Sequence, residues 1–376
     1  LNLILVAKRI LIIGCSGWGN IGDELILDGI LHDVSALGNV VVASRNKELS
    51  EEIHKGVDFV EYPLSNRSLR TLFSFAKECL KSDIVILGGG YLLHDQTWYN
   101  LFILTAFVVL MRLFGKKVLL YGVGGGPIKK NVSKTLLRLM SRLSVISVRD
   151  GFSLREVSKG AEKVVLTADP GFRLLKDFPK KRKYGKKTLG ISICAWLKNT
   201  NYWKYGKKAP EREMKAFVSF LEKLIRKLKV KEVVFLPLYM PFDKDVSERI
   251  KDSLLRKNED LEVKVVDLFY DLEEIKKQFS QVDLLLGMRL HSLIIASMCG
   301  TPFMAMVYDD KVRSFCEDIN YTYFIEMDDI YENEIPNERI EELLKKRREM
   351  GKLLLKESER FYELARRNVD LLRRWL

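Results

Sequence analysis

The sequence predicts an α/β protein with two parallel-sheet domains. Three observations predict it. Short apolar runs such as Ile10-Leu11-Ile12-Ile13 and Ile84-Val85-Ile86-Leu87 alternate with longer segments of helical periodicity, as expected of parallel strands buried on both faces. The alternation breaks once, over residues 177–187, which are rich in Lys, contain Pro179 and Gly185, and show no apolar period. At 376 residues the chain is long enough for two domains of ordinary size.

The first domain is read over residues 1–176. Ile10 to Ile13 is a strand, followed by a glycine-rich turn and a helix to about Asp33. Val40 to Ala43 and Val57 to Tyr62 are strands, Ser68 to Cys79 a helix, and Ile84 to Leu87 a strand that runs into Gly88-Gly89-Gly90. Leu101 to Leu113 is the most apolar helix; it is too short for a membrane span, Arg112 interrupts it, and it is expected to be buried. The strand Lys117 to Tyr121 ends in Gly122-Val123-Gly124-Gly125-Gly126-Pro127, and a helix over 133–143 leads to the strand Val145 to Val148 and then Arg149-Asp150. Residues 177–187 are the linker. The second domain, 188–334, repeats the plan: strands at 188–193, 231–237, 262–266, 283–286 and 302–307, with helices at 211–228, 245–255, 272–280 and 292–298. Residues 335–376 are C-terminal helices expected to pack back on the first domain.

Composition narrows the class. A chain 47% hydrophobic and 30% charged folds as a globule and is not a disordered segment. Its net charge of +13 suits anionic ligands or anionic lipid headgroups. No aromatic-interleaved basic patch marks it for nucleic acid. The five cysteines are scattered, with no C-x-x-C pair, which suits a reducing compartment, a cytoplasmic location and free thiols; the four histidines are equally dispersed, so no zinc site or other metal is expected. Residues 1 to 14 are apolar but read straight into the first strand, so no signal peptide is assigned.

The chemistry collects at strand ends. In open parallel sheets ligands bind outside the carboxyl ends of the strands. Three first-domain strands end in glycine-rich loops and a fourth in Arg149-Asp150. The segment Gly14-Cys15-Ser16-Gly17-Trp18-Gly19-Asn20-Ile21-Gly22-Asp23-Glu24 lies between strand and helix, where free amides and the helix dipole favour an anion. Gly17, Asn20, Asp23 and Glu24 are its candidate ligand contacts; Gly89, Gly90 and Asp95 are those of the second loop, and Gly124 and Gly125 those of the third. The competing reading is a tight turn of the kind any α/β protein contains. Arg149 offers a fork for phosphate or carboxylate. In the second domain His291 stands at a strand-to-helix junction two residues after Arg289, with Lys311 after the next strand and Asp243 or Asp245 after the strand ending at Pro237. Histidine moves protons near neutral pH, and the cations suit an anionic substrate. His32 and His54 are read as structural, and His94 as either a substrate contact or a surface-loop residue. Two Rossmann-like domains, a short linker and C-terminal helices form the GT-B-like plan of many glycosyltransferases.

The ordered set Gly14-x-x-Gly17-x-Gly19-Asn20-x-Gly22-Asp23-Glu24, Gly88-Gly89-Gly90-x-x-x-x-Asp95, Gly122-x-Gly124-x-Gly126-Pro127-Ile128, Val148-Arg149-Asp150 and Arg289-x-His291 resembles the polysaccharide pyruvyltransferase family. The resemblance spans residues 10 to 315. It implies a GT-B-like fold and transfer from phosphoenolpyruvate to sugar hydroxyls, forming a pyruvate ketal and releasing phosphate, with no cofactor. It implies that Arg149, Arg289 and Lys311 bind substrate, that His291 and an acid at Asp243 or Asp245 are catalytic, and that the acceptor is a sugar of a cell-surface glycan, lipid-linked in bacterial relatives. Peripheral contact with the inner face of an anionic membrane, and an oligomer, are compatible with it. Two rivals stand beside this reading: a GT-B glycosyltransferase using a nucleotide-sugar, and a non-catalytic carbohydrate- or membrane-binding protein whose basic C-terminal helices dock on lipid.

Overall fold

The computed structural model describes residues 8–63, 68–97, 99–179, 188–195, 211–256, 260–332 and 337–374. Most of the 177–187 linker, and the residues before Lys8, lie outside the described residues. The chain divides into two units, one comprising Leu1–Leu175 with Arg360–Leu376 and the other Lys176–Glu359.

The first unit holds strands β1 (Lys8–Ile13), β2 (Gly38–Ser44), β3 (Asp58–Glu61), β4 (Ile84–Gly88), β5 (Tyr91–Leu93), β6 (Lys117–Gly125), β7 (Val145–Val148) and β8 (Val165–Leu166). They form an eight-stranded sheet in the order β3-β2-β1-β4-β6-β7-β8, with β5 paired to β6, and every described pairing is parallel. The order reverses between β1 and β4. That is the switch point at which loops leave the sheet in opposite directions and open a crevice. Successive residues of each strand face opposite layers. Leu11, Val85 and Leu120 face helices α3 (Leu69–Lys81), α4 (Asn100–Leu113) and α5 (Asn131–Leu143). Ile10, Ile12, Ile86 and Tyr121 face α1 (Ile21–Val34), with Leu372 from the C-terminal helix on the same side. Sequence reading missed the short β5 and β8, and also α2 (Lys47–Ile53) and α6 (Gly151–Val157), which are too brief to show a period.

One expectation is overturned. Helix α4 is not buried: only Leu101, Thr105, Val108 and Met111 reach the core, while Phe102, Ile103, Leu110 and Leu113 are exposed. A helix apolar all round gives no signal of which face meets the sheet; the sheet covers one stripe and leaves the other to solvent.

The second unit is a six-stranded sheet, β11-β10-β9-β12-β13-β14, again parallel throughout. Its strands are β9 (Thr188–Ser192), β10 (Glu232–Phe235), β11 (Glu262–Val265), β12 (Leu284–Gly287), β13 (Phe303–Val307) and β14 (Phe324–Glu326). The helix read from 245 begins at Phe242 instead, directly after the cis Met240–Pro241 bond, so Asp243 lies in its first turn and not in a loop. Lys311 likewise belongs to the helix Asp310–Asp318, capped by Asp309.

The C-terminal helix Arg347–Arg373 ends on the first unit. Asn368 accepts a hydrogen bond from Ser147 Oγ (2.6 Å), and Phe361 stacks on Phe172 with ring centroids 5.0 Å apart. Beneath this contact Asp33 accepts from Arg173 Nε (2.6 Å) and Tyr121 Oη (2.7 Å), all three side chains being buried. Removing one partner of a buried pair strands the other charge. Asp33→Ala is therefore expected to cost about 3–5 kcal/mol, read as a lower urea midpoint with an unchanged slope.

Candidate active site

At the carboxyl edge of the first sheet, the loops after β1, β4, β6 and β7 come together. Gly17 adopts φ +77°, a left-handed conformation that favours glycine. Its amide donates to Glu24 Oε1 (2.8 Å), and Arg45 N donates to Ser16 O (3.1 Å), tying this loop to the end of β2. Asn20 caps α1, accepting from Gly22 N, and its amide donates to Asp23 (2.8 Å). Trp18, at the loop tip, lies under the Arg45 guanidinium at 3.7 Å. Gly124 N donates to Gly90 O (3.0 Å), joining the second and third loops. A Cβ at Gly124 would fall 2.7 Å from the Tyr91 ring and 3.1 Å from Arg149 Nη2, so glycine is what lets both side chains close over the strand end.

Arg149 is buried there. Its Nη1 donates to Asp169 (3.0 Å), while Nε has no hydrogen-bond partner and lies 3.5 Å from Asp150. Burial opposes its charge, but Asp169 and Asp150 outweigh that and hold its pKa above the usual value. His94 stacks on Tyr91, ring centroids 5.9 Å apart, and its buried Nδ1 also has no hydrogen-bond partner. Burial pushes the His94 pKa down, with Asp95 opposing.

Two acids read as ligand contacts are committed elsewhere. Glu24 divides its oxygens between Gly17 N and His54 Nε2 (2.8 Å), and His54 Nδ1 meets Asp28 (2.8 Å). Asp95 accepts from the amides of Lys129 and Lys130 (both 2.7 Å), capping the start of α5. Burial resists its charge, but those two hydrogen bonds win and lower its pKa. Gly125 N donates to Ser153 Oγ (2.8 Å).

The second unit has its own cluster at the ends of β9, β10, β12 and β13. Arg289 occupies the N-cap position of the helix Leu290–Met298, and His291 sits half-buried in that helix's first turn. Arg289 forms a bidentate pair with Asp243, Nε to Oδ2 at 2.5 Å and Nη2 to Oδ1 at 2.7 Å. Asp243 is fully buried and also accepts from Ala195 N and Tyr239 N, both at 3.0 Å. Each oxygen thus takes two hydrogen bonds, leaving no edge for a substrate proton. In this arrangement Asp243, expected from the sequence as a catalytic acid or base, holds the Arg289 guanidinium. Asp245 is exposed on the same helix turn. Burial works against the Arg289 charge, but Asp243 holds its pKa well above the ordinary value, and the guanidinium lies 5.2 Å from the Tyr239 ring centroid. Lys311 Nζ lies 5.4 Å from the Tyr308 ring centroid and 3.6 Å from Asp309; burial disfavours its charge, but Tyr308 and Asp309 raise its pKa. Arg289, Tyr308 and Lys311 all lie in electrostatic reach of Cys194 at the end of β9. Tyr308 was missed by sequence reading, although the aromatic beside an Asp-Asp-Lys turn was its signal.

A 310 Å³ cavity of the second unit is lined by Tyr308, Asp309, Asp310, Arg313, Glu326 and Asp328, among others. The 590 Å³ groove of the first unit runs along edge strand β3, and no lining residue comes from the glycine-rich loops. Among the described residues no cluster of His, Cys, Asp or Glu could hold a metal ion.

A family model described as polysaccharide pyruvyl transferase matches residues 20–310. The chain belongs to that family. The match runs from Asn20 of the first glycine loop through Arg149, Arg289 and His291 and includes most strands of both sheets. No curated protein sequence matches significantly. Among solved structures, Anabaena Alr3699/HepE in complex with UDP-glucose is similar at TM-score 0.59 and 12% identity, covering 98% of this chain and 100% of that one. A glycosyltransferase from Rickettsia africae ESF-5 is similar at TM-score 0.59 and 12% identity, over 96% and 93% of the two chains. Acinetobacter baumannii MurG is similar at TM-score 0.54 and 13% identity, over 98% and 99%. At such identities the likeness speaks for fold: two Rossmann-like domains of the GT-B class.

The pinned glycine loop makes a testable prediction. Burial opposes protonation of His54, but hydrogen bonds to Asp28 and Glu24 prevail and raise its pKa to about 9. A raised folded-state value means the network contributes its full stability below the unfolded imidazole's pKa of about 6.5 and loses it as pH climbs through the folded value. The unfolding free energy of the parent, from urea titration, should fall more steeply from about pH 7 to pH 10 than that of His54→Gln, the difference amounting to up to about 3 kcal/mol. Parallel curves would remove His54 from the account.

Proposed function

We propose that the protein transfers a pyruvyl group from phosphoenolpyruvate to two hydroxyls of one sugar, forming a ketal and releasing inorganic phosphate. The observation that carries this reading is the Arg289, His291 and Lys311 group at one strand edge. It sets two cations, Arg289 held charged by the buried Asp243 and Lys311 beside Tyr308 and Asp309, together with a proton carrier. Arg289 and Lys311 bind the phosphate and carboxylate of the donor, as forked and point cations do. Arg149, buried at the strand end with an Nε that makes no hydrogen bond, is assigned as the first unit's anion-binding group.

The proton ledger runs through His291 alone, since Asp243 is committed to Arg289. Protonated His291 gives its proton to the methylene carbon, C3, and the enol double bond becomes an oxocarbenium centre at C2. The first sugar hydroxyl adds to C2, and neutral His291 takes its proton. The second hydroxyl then attacks C2, the C2–O–phosphate bond breaks, and phosphate leaves with that hydroxyl's proton. Arg289 and Lys311 stabilise the charge that gathers on the leaving group. The cavity beside Tyr308, rich in carboxylates, suits the sugar's hydroxyls. The acceptor is assigned to cell-surface glycan synthesis, at the inner face of the membrane.

The test is acceptor-dependent phosphate release from phosphoenolpyruvate, with free and lipid-linked sugars. His291→Ala is expected to lower the rate 10²–10⁴-fold, the usual loss for a general acid–base. A rate within a few-fold of the parent would remove His291 from the chemistry. Turnover of a nucleotide-sugar with none of phosphoenolpyruvate would favour the glycosyltransferase reading.

A further inference from the structure

The first unit carries an apolar surface that its core does not use. Helices α3, α4 and α5 cover one sheet face, their inner residues sharing one core, with α4 packed against α5. Lys116 Nζ donates to Leu80 O (2.5 Å), fastening the end of α3 to the chain beyond α4. The outer side of α4 shows Phe102, Ile103, Leu110 and Leu113 at helical spacing, and α3 adds Leu72 and Phe73. Their exposures reach 60% at Ile103, 71% at Phe73 and 78% at Leu113. Contiguous apolar surface of this kind marks an interaction site.

Charge identifies the occupant. Residues 69–143 hold eleven Lys and Arg against three Asp and Glu, and neither α4 nor α5 contains an acidic residue. Lys77, Arg112 and Lys130 are exposed around the apolar stripe. A second copy of the chain would bring this cationic face against itself. An anionic bilayer meets both needs: acyl chains take the aromatic and aliphatic side chains, and headgroups pair with the basic rim. With 14 residues at 1.5 Å each, α4 is about 21 Å long, shorter than the roughly 30 Å hydrocarbon core. No described helix is long and apolar enough to cross a membrane. The geometry is therefore that of a helix lying in the plane of the interface.

We propose that the outward face of α3, α4 and α5 docks the protein on an anionic lipid bilayer. The inference does not depend on the reaction proposed above. It is tested by floating the full chain with vesicles of phosphatidylcholine alone or mixed with phosphatidylglycerol. The parent is expected to float with the anionic vesicles and poorly with neutral ones, and to release as salt rises from about 0.1 to 0.5 M. Ile103→Glu with Leu113→Glu should weaken binding about tenfold or more. Lys77→Glu with Arg112→Glu should abolish the preference for phosphatidylglycerol. All four positions are exposed, so circular dichroism and melting temperature should match the parent. Failure of the parent to float at low salt, or flotation of Ile103→Glu/Leu113→Glu equal to the parent, would overturn the proposal. So would a parent that sediments as a dimer, a double variant that sediments as a monomer, and no vesicle binding by either; that result would make the face a self-interface.

Discussion

The Asp243–Arg289 pair is the constraint around which the second unit's functional edge is arranged. A carboxylate with no solvent contact is tolerated only when its lone pairs are filled. Here two backbone amides and a guanidinium fork fill them. The amides come from the ends of β9 and β10 and the fork from the end of β12, so one side chain fixes three strand ends. Arg289 is thereby held charged and oriented before any substrate arrives. Preorganised charge of this sort needs no rearrangement when charge develops on a leaving group.

The same device recurs in the first unit. Asp169 holds Arg149, Glu24 holds the glycine loop through Gly17, and Asp95 holds the third loop through two amides. Acids at these strand ends act on the protein's own loops and cations. The cations so held suit an anionic donor, while carboxylates line the cavity beside Tyr308.

Much of this was legible in the sequence. Apolar runs ending in glycine or in Arg-x-His announced parallel strands and placed their loops on one edge, because strand direction alone decides where the carboxyl ends lie. Arg149, Arg289, His291 and Lys311 were singled out that way. What the sequence could not show was partnership. Asp243 and Asp245 look alike two residues apart, yet one faces the core and the other solvent, and only the early helix start after Pro241 separates them. Glu24 looked like a ligand group because its partner His54 lies thirty residues on, at the end of a helix too short to register. Helix α4 gave the opposite error: uniform apolarity hid the fact that the sheet covers only one of its faces.

Donor identity is the central claim, and equilibrium binding tests it most directly. Titration calorimetry would compare phosphoenolpyruvate with UDP-glucose on the full chain, and then on Arg289→Ala. The account predicts saturable binding of phosphoenolpyruvate, lost in Arg289→Ala and absent for UDP-glucose. Tight binding of UDP-glucose with no response to phosphoenolpyruvate would contradict it.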